Sequence, residues 1–183
     1  MIRPPAKTPL DFSSAFTLVE TLVAITILIV TIVGPLYAVH KSLAASYVAR
    51  DKLIATSLAQ EGVEYVRSIR DNNYLENYTT HDGVTWLNGL SNCYAPNRCA
   101  VDQGQQSITL CPSGGCAPLR LSPSPVNLYT QNTNSAYATT RFTRSFQIAN
   151  VSANEVTVTV TVSWTTLSVT YNVTVTEHLY NWL

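Results

Sequence analysis

The chain has 183 residues, of which 12% are charged, and a net charge of zero, so it has room for one domain with a core plus an anchor and no charge bias toward a polyanionic partner. An apolar content of 46% with so little charge excludes a disordered chain. The second half is filled with Thr, Ser, Asn and Tyr, which suits β-structure and loops outside the cell better than a cytosolic enzyme.

Residues 1–15, MIRPPAKTPLDFSSA, carry Arg3, Lys7 and three prolines, and predict no helix. An apolar run follows from Phe16 to Val39, broken only by Glu20. As a helix it spans roughly 36 Å, enough for a hydrocarbon core about 30 Å thick. The basic residues ahead of it place the N-terminal side in the cytoplasm. A secretory signal peptide has its small-residue cleavage site after the apolar run. Here Ser13, Ser14 and Ala15 come before it, so a cut there leaves the apolar segment in the mature protein. Glu20 conflicts with a plain anchor, because a carboxylate deep in a bilayer costs about 2.5–3.5 kcal/mol.

Ala15-Phe16-Thr17-Leu18-Val19-Glu20 resembles the processing site of type IV prepilins and pseudopilins. In that family a short basic leader ends in a small residue, and a membrane aspartyl peptidase cuts before Phe. The new amine is methylated, and the fifth residue after the cut is Glu. The resemblance implies cleavage between Ala15 and Phe16, N-methylation of Phe16, and Glu20 as the assembly glutamate. The family usually has Gly where this chain has Ala15. When apolar helices bundle side by side, an amine buried among them needs a carboxylate nearby, because an unpaired buried charge is heavily penalised. Glu20 can neutralise the Phe16 amine of the next subunit.

Gly34-Pro35 interrupts the apolar segment and predicts a kink. Beyond it, Leu43, Tyr47, Ile54, Leu58, Tyr65 and Ile69 recur at spacings of four and seven, an amphipathic helix over 40–71 that ends at Asp71-Asn72-Asn73. Ala59-Gln60-Glu61-Gly62-Val63-Glu64-Tyr65-Val66-Arg67 is similar to the matching part of PilV-like minor pilins.

Residues 72–138 show no long period, and short strands or turns are expected there. They hold Cys93, Cys99, Cys111 and Cys116. Zinc ribbons need tighter pairs, and a head on the far side of a membrane sits where oxidation is permitted, so two disulfides are favoured over zinc. Local closure favours Cys93–Cys99 and Cys111–Cys116 among the three possible connectivities. Trp86, Tyr94, Tyr129 and Tyr137 are either exposed contact residues or packing for the loops.

From 139 to 183 the pattern alternates. Phe142, Phe146 and Ile148 share a face, as do Val156, Val158, Val160, Val162 and Trp164, then Val169, Tyr171, Val173 and Val175. This predicts an antiparallel meander with one buried and one polar face. The amphipathic helix and the sheet each need a cover, so the expected fold is α+β with a long N-terminal helix on a C-terminal sheet, the layout of pilin heads. The aromatic segment 177–183 is expected to dock.

No phosphate loop, dinucleotide fingerprint, zinc-protease or nucleophile-elbow motif occurs, so no catalytic residue, cofactor or metal is assigned. The reading is a filament subunit, a minor pilin, whose partners are other pilin subunits, the prepilin peptidase and the inner-membrane assembly platform. It would be a single-pass inner-membrane protein with a cytoplasmic N-terminus before assembly, and part of an extracellular pilus afterwards. The alternatives are a type II secretion pseudopilin, or a tip adhesin or DNA-binding pilin using Arg98, Arg120, Arg141 and Arg144 on phosphates. An anchored enzyme is the remaining class.

Overall fold

Helix α1, Leu18–Thr80, forms where strong helix formers continue almost without a Gly or Pro break. The computed structural model describes residues 17–181. These fall into two compact units that meet at Ser46 and Tyr47. In the first, α1 is apolar and exposed along its length, and it is long and apolar enough to cross a membrane. Pro35 lies inside it, and the helix continues unbroken through Gly34 and Pro35.

In the second unit, the C-terminal part of α1 packs on an antiparallel sheet, giving the α+β arrangement. The strands are β1 (Cys99–Asp102), β2 (Ser107–Leu110), β3 (Arg120–Leu121), β4 (Tyr129–Thr130), β5 (Ala138–Thr139), β6 (Thr143–Ser152), β7 (Glu155–Thr166) and β8 (Val169–Tyr180). Five of them form one sheet in the order β2-β1-β6-β7-β8, and β4-β3-β5 form a small second sheet. The buried Asp102 carboxylate joins the two sheets, accepting from the Thr130 hydroxyl at 2.6 Å and the Gln131 amide at 2.8 Å.

Alternation decides the face of β7: Val156, Val158, Val160, Val162 and Trp164 turn inward, while Thr157, Thr159 and Thr161 do not. The helix meets this face through Ala55, Leu58, Ala59, Gly62, Val63 and Val66. This differs from the expected stripe. Leu43 and Tyr47 are each 53% exposed, and Ile54, Tyr65 and Ile69 only flank the contact. Small residues form its centre because the backbones approach closely. A Cβ on Gly62 would lie 3.0 Å from Val160 Cγ1 and 3.3 Å from Arg144 Cδ.

The helix also outruns its expected end, passing Asp71-Asn72-Asn73 to Thr80. Asn73 is buried, and its amide donates to the carbonyls of Trp86 at 3.2 Å and Asn88 at 2.9 Å. A residue that favours turns is thereby satisfied inside a helix. Leu179 of the terminal segment is buried, and the Asn181 amide donates to Asn154 O; Trp182 and Leu183 lie outside the described residues.

Candidate functional site

The cleavage pair Ala15 and Phe16, with the methylation position Phe16, lies outside the described residues. Glu20 stands in the first turn of α1. Thr17 caps that turn: its hydroxyl accepts the Glu20 amide at 3.3 Å, and its carbonyl accepts the same amide at 3.1 Å. Thr17-Leu18-Val19-Glu20 thus has the spacing of a capping box, which places a carboxylate where the helix dipole favours one. The sequence carries that signal, but the prepilin-like pattern overlies it.

The other polar side chains of this stretch are satisfied locally. The hydroxyls of Thr21, Thr26 and Thr31 donate to the carbonyls of Leu18, Val23 and Leu28 at 2.9, 2.8 and 2.9 Å. Glu20 is the one charged side chain on α1 from Leu18 to Val39, and among the described residues it has no ion-pair partner. Around it the apolar side chains are open, with Leu18 80%, Val19 70% and Leu22 57% exposed. An exposed apolar surface of this size calls for lipid or other helices as cover. Gly34 has open space where a side chain would stand, and Pro35 deprives the Thr31 carbonyl of its usual helical partner. Cations return at the C-terminal side, with Lys41 5.5 Å from the Tyr37 ring centroid.

In the second unit the cysteines pair as Cys93–Cys99 and Cys111–Cys116. The first pair is buried and fixes the start of β1, and the second joins two half-buried cysteines across the exposed 112–115 turn. Among the described residues, no group of His, Cys, Asp and Glu is arranged to hold a metal ion.

The four arginines considered for phosphate contact do not form a patch. Arg144 is fully buried, donating to Leu58 O at 3.0 Å and Val101 O at 2.9 Å, with Glu61 3.1 Å away. Its Nη1 is aimed at the Leu58 carbonyl, so the Glu61 contact is an ion pair without hydrogen-bond alignment. Arg141 is bound to the buried Asp51 at 2.9 Å, and Thr166 donates to the same oxygen at 2.7 Å. Arg120 donates to Asn134 O at 3.3 Å, which leaves Arg98 exposed on its loop. Two of these arginines instead lock the head together: Arg144 joins α1, β1 and β6, and Arg141 binds Asp51, which joins α1 to the end of β7.

Tyr129 packs edge-on against Phe142 at 6.2 Å, and Trp86, Tyr94 and Tyr137 are half-buried. Burial raises the Tyr94 phenol above its ordinary 10.0. It also raises Tyr65, with the Asp102 charge adding to the effect. A hydrogen bond to Glu155 raises Tyr180, and one to Glu177 raises Arg67. Of the histidines, His40 and His81 are exposed, and His178 Nδ1 lies 2.7 Å from Glu155 Oε1.

Comparison of the chain with protein-family models, with curated proteins and with solved structures finds no match.

Proposed function

We propose that this chain is a structural subunit of a type IV pilus-like filament, a minor pilin assembled through its N-terminal helix. The observation that carries this reading is one arrangement: a small residue and Phe at 15 and 16, then Glu20 as the one charge in an exposed apolar helical stretch from Leu18 to Val39. The leader faces the cytoplasm, and the prepilin peptidase removes it between Ala15 and Phe16. The subunit then waits in the inner membrane as a single-pass protein. At the assembly platform its apolar helix exchanges lipid for the helices of other subunits, and Glu20 meets the methylated amine of Phe16 on a neighbour. Extraction from lipid costs little when an apolar bundle replaces it, whereas an unmatched amine inside that bundle costs several kcal/mol. The head then stands outside the cell as part of the filament.

Glu20→Gln tests this cleanly. Gln also serves at the third position of a capping box, so the helix start is kept while the charge is lost. Sheared filaments carrying the variant should contain about tenfold less of this subunit than wild type, with equal amounts in the membrane. Undiminished incorporation would remove the assembly role of Glu20.

A further inference from the structure

A groove of about 530 Å³ lies between the 81–90 loop and the β6–β7 hairpin, lined by Thr85, Trp86, Leu87, Tyr94, Asn150 and Ser152 among others. Its two aromatic residues are held from beneath. Asn73 on α1 grips the carbonyls of Trp86 and Asn88, and the Cys93–Cys99 disulfide fixes the residue before Tyr94. Both rings pack partly against the core and remain partly open. On the hairpin side, the β6–β7 ladder shifts register between Asn150 and Ser152, and both of these residues are exposed. Such irregularities re-aim side chains at sites of binding.

The lining has no acidic or basic side chain. That argues against nucleic acid and against sulfated or sialylated ligands, which need cations. Several backbone amides around the groove are already used. The Ala95 amide donates to Ile148 O at 2.8 Å, Tyr94 bridges to Ile148, and the amides of Asn88, Leu90 and Cys93 donate within their own turns. An extended peptide would therefore find these amides engaged and only the short outer edge of β6 beyond Ile148 left to join. Recognition falls to flat aromatic faces, side-chain amides and hydroxyls. These match a ligand with an apolar C–H face and a rim of hydroxyls.

We propose that the Trp86–Tyr94 groove is a binding site for a neutral oligosaccharide, with the sugar stacking on the aromatic rings and its hydroxyls bonding to Asn150, Ser152 and Thr85. The preorganised support under Trp86 and Tyr94 keeps the ordering cost of binding low. This site uses no residue of the apolar stretch from Leu18 to Val39 and does not depend on the filament reading.

The test uses the full chain in micelles of a detergent without a sugar headgroup. Four sets of probes are immobilised: neutral hexose and N-acetylhexosamine oligosaccharides of host-glycoprotein type, neutral bacterial surface polysaccharide fragments, sialylated and sulfated glycans, and extended peptides. Binding in either neutral set supports the proposal, and the set that responds identifies the source. Trp86→Ala should lose about tenfold in affinity, and Trp86→Phe should retain most of it. Asn150→Ala, an exposed change that leaves the packing intact, should lose several-fold. The proposal is overturned by the absence of neutral-glycan binding at millimolar ligand, by a preference for charged glycans or peptides, or by binding that Trp86→Ala and Asn150→Ala leave unchanged.

Discussion

Arg144 on β6 donates to the carbonyl of Leu58 on α1 at 3.0 Å, from a side chain with no solvent exposure. The same guanidinium reaches Val101 O on β1 at 2.9 Å, so one buried cation fastens the helix to two strands. Glu61, beside it, is the only carboxylate paired with this charge among the described residues.

Arg144→Met should therefore destabilise the head by about 3 kcal/mol, since it removes two buried charge-assisted hydrogen bonds and leaves Glu61 without its cation. The melting temperature should fall by roughly 10 °C, followed through the near-ultraviolet signal of the buried aromatic cluster. Adding Glu61→Gln should recover part of the loss. A change below about 1 kcal/mol would show that the clamp contributes little beyond filling space.

The β7–β8 turn presents a different case. Leu167 and Ser168 both adopt positive φ, 53° and 63°, in a two-residue hairpin that ordinarily takes Asn-Gly. Each non-glycine residue in that region carries a penalty of about 1–2 kcal/mol. Leu167 is 66% exposed, so replacing it gives up little burial. Leu167→Asn with Ser168→Gly should raise stability by about 1 kcal/mol. A loss of stability in chemical denaturation would mean that the leucine makes a contact the strain offsets.

Alkaline pH probes the packing of the loops. Burial raises the phenols of Tyr94 and Tyr65 above 10.0. The folded chain holds these protons more tightly than the unfolded chain does. Their contribution is complete below the ordinary phenol value and is lost as pH climbs through the raised one. Thermal stability should thus decline above pH 10.0, and a fraction of the tyrosines should ionise late in phenolate absorbance. Simultaneous ionisation of all ten tyrosines would contradict the burial of Tyr65 and Tyr94.

The sheet was the most legible part of the chain, because β7 buries one face and alternates accordingly, and β6 turns Arg144, Phe146 and Ile148 to the same core. The parity that put Phe142, Phe146 and Ile148 inside also puts Arg144 there, so its burial was readable in the sequence. Composition argues the other way, because arginine is rarely buried unless it is paired. The helix–sheet contact was hidden for another reason: Ala55, Ala59 and Gly62 carry weak hydrophobic signals yet decide how closely the backbones approach. Strand β1, four residues buried on both faces, has no alternation to read. The helix end was misplaced because Asn73 finds its partners across a loop, a tertiary contact that local propensity does not anticipate. At the candidate site, Glu20 was legible from the pattern around it, whereas its place in a capping box emerged only with the Thr17 contacts.

The most direct test of the filament account is the intact mass and N-terminal sequence of the membrane-derived protein, prepared with and without the prepilin peptidase. The account predicts a mature chain beginning at methylated Phe16 only when the peptidase is present. A chain beginning at Met1 in both preparations would contradict it, leaving a membrane-anchored head whose helix is not presented for assembly.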